Sequence, residues 1–101
     1  MAQQAAQQVE VTHAQGIHFR PAQVIVEVAQ QFDSDIVLRQ GDRAVDAKEF
    51  LPVLELASPK GARLTIEARG HDAEQAVAAL AALIGGEFDE ESVARLRPGD
   101  A

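Results

Sequence analysis

Pro21 constrains the fold of this chain more than any other residue. Proline lacks a backbone N–H and its φ is preset near the helical value, so it suits the first turn of a helix and disrupts the interior of one. In Gly16-Ile17-His18-Phe19-Arg20-Pro21-Ala22 the residues before it turn the chain, and the proline marks a helix start. The apolar spacing changes at the same point. Ala22, Ile25, Val26, Ala29 and Phe32 recur as one stripe, with Gln23, Glu27, Gln30 and Gln31 facing outward. This pattern predicts a helix over 21–31, with His18 just ahead of its unpaired N–H groups.

That placement has a chemical meaning. The helix start at Pro21 and Ala22, with its unpaired N–H groups, the positive end of the helix dipole and the guanidinium of Arg20 are expected to converge on an anion carried by the imidazole of His18. A phosphoryl group fits such a seat, which makes His18 and Arg20 the candidate chemical residues. His13 and His71 lack ligand partners at suitable spacing and are read as structural or incidental, with no metal site. No spacing singles out a carboxylate pair for glycoside hydrolysis.

The remaining pattern is legible in pieces. Val9-Glu10-Val11-Thr12 alternates as a half-buried strand, preceded by a Gln-rich segment over 1–8 that is expected to be flexible. Residues 35–40 and 43–46 read as strands of a hairpin around Gly41-Asp42. A short helix is expected over 48–56 despite Pro52, with Val53 and Leu56 buried and two of Phe50, Leu51 and Leu54 exposed. Leu64, Ile66 and Ala68 alternate along another strand. Asp72 and Gln75 have the spacing of a capping box opening a last helix, which Gly85-Gly86 ends. Residues 87–101 are charged and weakly patterned, a tail that is either disordered or marginally helical.

The expected order is βαββαβα over one domain at 9–86, an α+β, open-faced sandwich in which three helices cover one face of a four-stranded antiparallel sheet. Nine Lys and Arg against sixteen Asp and Glu leave a net charge of -7, and the four aromatic residues are all Phe. Both features argue against a nucleic-acid partner. No apolar run approaches the roughly 20 residues that span a bilayer, residues 1–8 do not read as a signal peptide, and cysteine is absent. The expected location is the cytoplasm.

The motif Gly-Ile-His-Phe-Arg-Pro-Ala, with Ala47-Lys48, Gly61 and Gly70 at their places, resembles the histidine-containing phosphocarrier HPr family of the bacterial phosphoenolpyruvate-dependent phosphotransferase system. The similarity runs from about Val9 to Ile84. It implies that His18 accepts a phosphoryl group on Nδ1 from an enzyme I-like donor and passes it to a IIA-like or regulatory acceptor. The chain is then a monomeric carrier without cofactor, and not a stand-alone catalyst. The resemblance also implies docking through an apolar patch that maps to Phe19, Gln23, Phe50, Leu51 and Leu54. The alternative is a regulatory module of the same fold that docks on a partner without feeding sugar transport.

Some positions depart from the family pattern. Glu27 and Gln30 stand where many members place basic residues on the first helix, and Glu49 stands where many carry a phosphorylatable serine. Glu49 is therefore expected to impose a fixed, partly phosphoserine-like bias on partner choice. Phe19 replaces a small residue after the histidine and Ala57 a frequent glycine.

Overall fold

The computed structural model describes residues 3–13, 15–56 and 58–86. Along the chain these form β1 (Gln4–Glu10), α1 (Phe19–Ala29), β2 (Asp35–Gln40), β3 (Arg43–Asp46), α2 (Phe50–Leu56), β4 (Arg63–Arg69) and α3 (Ala73–Ile84). The strands make one antiparallel sheet in the order β1-β4-β2-β3. The helices cover one of its faces, as the alternation requires. Ile36 and Leu38 of β2 and Leu64, Ile66 and Ala68 of β4 point into the core, where they meet Ile25 and Val28 of α1, Val53 and Leu56 of α2, and Ala76, Leu80, Leu83 and Ile84 of α3. Each fully buried Leu or Ile contributes roughly 1.5–3 kcal/mol. The intervening residues Val37, Arg39, Thr65 and Glu67 lie on the open face, where Arg39 pairs with Glu67 at 3.1 Å.

The amino-terminal boundary lies earlier than expected. Residues 4–8 are not a loose segment: they belong to β1, which pairs with β4 along its whole length, from Gln4 opposite Arg69 to Glu10 opposite Arg63. Only Ala5 and Val9 of this edge strand pack against the core, so the ladder of backbone hydrogen bonds holds it more than apolar burial does. Val11 and Thr12 lie past its end, where the Val11 N–H donates to the Ala62 carbonyl at 2.8 Å and the Val11 side chain is fully buried. The tail at 87–101 and Ala57 lie outside the described residues.

Two helix starts also differ from expectation, for one reason. Helix α1 begins at Phe19 with His18 as its N-cap, so Pro21 takes the third helical position and not the first. Helix α2 begins at Phe50, with the Val53 N–H reaching the Glu49 carbonyl at 3.4 Å, which puts Pro52 at the third position as well. None of the first turn's N–H groups has an intrahelical acceptor, so a proline is tolerated anywhere within it.

Candidate functional site

The loop that delivers His18 is pinned at several points. The Gly16 N–H donates to the His13 carbonyl at 2.9 Å, closing a tight turn, and the Ile17 N–H donates to the Ser58 carbonyl at 2.7 Å while the Ile17 side chain enters the core. Gly16 sits at φ 73°, and a Cβ there would lie 2.4 Å from the Ser58 carbonyl oxygen, so position and backbone conformation both demand glycine. His18 follows in extended conformation, and its carbonyl accepts the Ala22 N–H at 2.9 Å as the first bond of α1.

The imidazole of His18 is partly exposed, with its two nitrogens in different situations. Nε2 is buried and has no hydrogen-bond partner among the described residues. The side chain does not cap its own helix, and the first turn contains no acidic residue, so no carboxylate of that turn neutralises the positive end of the dipole. Arg20 is exposed at the second helical position. Pro21 and Ala22, expected to steady an anion, are both buried. One has no N–H and the other spends its N–H on the His18 carbonyl. The donors ahead of the intrahelical ladder are instead the N–H groups of Phe19 and Arg20.

The structure adds a residue that the sequence reading set aside. The ring of His13 stands 5.2 Å from that of His18, centroid to centroid, at an interplanar angle of 60°. The His13 Nδ1 accepts the Gln15 N–H at 3.3 Å. The three-residue step from His13 to Gly16 was the available signal, because it is the spacing of a hydrogen-bonded turn that returns the chain on itself.

Beside the histidine, three of the five expected docking residues come together. Phe19 is 61% exposed and meets Phe50 edge to face, with centroids 5.1 Å apart. With Gln23, Val26 and Glu27 they line an apolar depression of about 310 Å³. Leu51 is 62% exposed, whereas Phe50 and Leu54 are half-buried against the core, so one of the three α2 residues is fully exposed and not two. Val53 and Leu56 are the buried pair, as expected. Glu49 is exposed; its neighbour Lys48 donates from Nζ to the Phe32 carbonyl at 2.7 Å and ties α2 to the end of α1.

A second group of polar side chains lies at the start of α3. Asp72 is the N-cap, but the capping box is not made. Its carboxylate instead accepts the N–H groups of Asp33 and Ser34, each at 2.9 Å, and the Ser34 hydroxyl. Burial alone would raise the Asp72 carboxyl, yet those three donors and the neighbouring His71 charge carry it below its ordinary value. His71 Nε2 lies 2.8 Å from Asp33 Oδ2, and that hydrogen bond, aided by the Asp72 charge, raises the imidazole above its ordinary value. Asp33, His71 and Asp72 thus bring their donor atoms within 4.8 Å of one another, already engaged with each other and with Ser34.

The family model for the PTS HPr component phosphorylation site matches residues 5–85. The chain belongs to the HPr phosphocarrier family. Among its relatives, the phosphocarrier protein NPr of Escherichia coli K12 is 38% identical over 86 residues, covering 84% of this chain and 96% of that protein. The phosphocarrier protein HPr of Haemophilus influenzae is 41% identical over 76 residues, covering 75% and 89% respectively. Among solved structures, HPr from Bacillus anthracis superposes with a TM-score of 0.78 at 34% identity, covering 80% of this chain and 96% of that one. The HPr-like open-faced sandwich is thus the fold of this chain. Among the described residues, no helix is long and apolar enough to cross a membrane.

Proposed function

We propose that this chain is a phosphocarrier in which His18 accepts a phosphoryl group from a phosphoenolpyruvate-dependent enzyme I and hands it to a IIA-like or regulatory acceptor protein. The observation that carries this reading is the state of the α1 start: a partly exposed histidine at an uncapped helix N-terminus, with Nε2 enclosed. Burial of Nε2 leaves Nδ1 as the nucleophile, with the ring proton on Nε2. The Nδ1 lone pair attacks phosphorus, and the new N–P bond forms as the bond between phosphorus and the donor breaks, its electron pair leaving with the donor. Onward transfer runs the same way, with the N–P pair returning to Nδ1.

The protein's part is to hold the phosphoryl oxygens. The Phe19 and Arg20 N–H groups and the Arg20 guanidinium are the assigned donors, each charge-assisted hydrogen bond contributing about 1.5–3 kcal/mol. The partners dock on Phe19, Gln23, Phe50 and Leu51, with Leu54 supporting that surface from beneath, and Glu49 supplies a fixed negative charge at its edge. Incubation with phosphoenolpyruvate and the enzyme I of the same organism, followed by intact mass measurement, tests the reading. A single acid-labile phosphoryl gain that is absent from His18→Ala is expected. No gain in the unaltered chain would overturn it in favour of a regulatory module that docks without carrying phosphate.

A further inference from the structure

We propose that the outer edge of β1 pairs with the same edge of a second copy of this chain, joining two four-stranded sheets into one across a two-fold axis at Gln7, where the family resemblance implies a monomer. Among the described residues no strand pairs with that edge, because β1 ends the order β1-β4-β2-β3. The edge is long and unguarded: Gln4–Glu10 holds no proline and a single charged residue, Glu10. An open strand edge is a template for another strand, and proteins usually blunt it with short length, charge or proline. The opposite edge is blunted in this way, since β3 has only the four residues Arg43–Asp46 and carries a charge at each end.

The backbone of β1 selects the occupant. The Gln3 and Val11 carbonyls accept from the Gly70 and Gly61 N–H groups, each at 2.8 Å, so the backbone groups of the odd-numbered residues point at β4. By the alternation of a strand, those of Gln4, Ala6, Gln8 and Glu10 point outward. A second copy run antiparallel about Gln7 sets Gln4 opposite Glu10 and Ala6 opposite Gln8, outward group to outward group, with every residue of β1 paired. The side chains match by face in the same register. Ala5 meets Val9 on the side that packs against the core, and no like charges stand opposite each other. With its amide oxygen accepting from the Arg69 guanidinium at 3.0 Å, Gln4 has its NH2 left to donate to Glu10 of the second copy, and Glu10 is flanked by Arg63 in its own sheet. Helix α3 packs beside β1 and α2 beside β3, so this pairing leaves the α1–α2 patch of each chain open and is independent of the carrier reading.

Sedimentation of the full chain at about 1 mM, a concentration that populates even a weak contact, is expected to give twice the mass of one chain. Ala6→Pro removes an outward N–H without touching the β1–β4 ladder and is expected to return the mass to that of one chain. The chain has no cysteine, so Gln7→Cys supplies a second readout that does not depend on the proline variant folding. Opposite residues of a non-hydrogen-bonded pair lie about 4.5 Å apart at Cα, within reach of a disulfide. Two copies of Gln7→Cys should therefore cross-link under mild oxidation, and two of Gln8→Cys, set diagonally from each other, about tenfold more slowly. A single-chain mass at that concentration, whether the edge stays open or residues 87–101 cover it, would overturn the proposal. A double mass that Ala6→Pro leaves intact, or equal cross-linking at positions 7 and 8, would overturn it as well, by moving the contact to another face.

Discussion

The starts of α1 and α3 are two helix N-termini without a side-chain cap on their own backbone, and they differ in the residue that precedes each first turn. At α3 that residue is Asp72, whose carboxylate already occupies the positive helix end and reaches across to Asp33 and Ser34. At α1 it is His18, with no acidic residue in the turn behind it. A helix start supplied with an internal anion becomes a joint between elements. One denied an internal anion remains able to take an external one. The glycines nearby fit the same division. Gly70, at φ 149°, lets Ser34 approach so closely that a Cβ would fall 2.8 Å from the Ser34 Cα, while Gly16 seats the loop that presents His18.

The sharpest way to break the contrast is to make α1 begin as α3 does. Arg20→Glu places a carboxylate in the empty first turn, and phosphoryl acceptance by His18 is expected to fall by about 10²–10³ in rate, with the thermal midpoint nearly unchanged. Stopped-flow or quench kinetics with enzyme I measures it, and a loss below about threefold would detach Arg20 from the chemistry. The reciprocal change, Asp72→Ala, empties the joint. It is expected to destabilise the fold by about 1–2 kcal/mol, seen as a lower midpoint in thermal melts, while phosphoryl acceptance stays the same at temperatures where the chain is folded.

A smaller effect follows from pH. The Asp72 carboxyl is lowered from 3.8, so its contribution is complete above that value and is lost as pH falls through the folded value. The His71 imidazole is raised from 6.5, so its contribution is complete below that value and is lost as pH rises through the folded one. Stability should therefore be greatest between these limits, with a shallow alkaline decline because the His71–Asp33 pair is exposed. Denaturant titrations across pH check this, and Asp72→Asn should flatten the acid side. The smallest effect expected is at Glu49: Glu49→Ser should change partner affinity by no more than a few-fold, measured by calorimetry, with an unchanged value removing the idea of a fixed bias.

Much of this architecture was readable because apolar spacing reports burial directly. The switch from the alternation of Leu64, Ile66 and Ala68 to the helical stripe of Ala76, Val77, Leu80, Leu83 and Ile84 marks β4 and α3 without ambiguity. The Gln-rich first part of β1, residues 4–8, was hidden from the same reasoning, which reached the strand only from Val9, since an edge strand of this kind is held by its backbone ladder and buries little. The position of His18 at a helix start was legible from Pro21, but the true first residue was not, because the whole first turn tolerates proline. Asp72 had the spacing of a capping box, yet Ser34, 38 residues away in sequence, competed successfully for its oxygens. The neighbourhood of His13 depended on how one turn closes, and residue type alone does not report that.

The central claim is that the enclosed Nε2 leaves one reactive nitrogen on His18. Nitrogen–phosphorus correlation by nuclear magnetic resonance on the ¹⁵N-labelled chain, charged with phosphoenolpyruvate and enzyme I, addresses it directly. A phosphorus coupling to His18 Nδ1 alone is the predicted result; a coupling to His18 Nε2, or to His13 or His71, would contradict it.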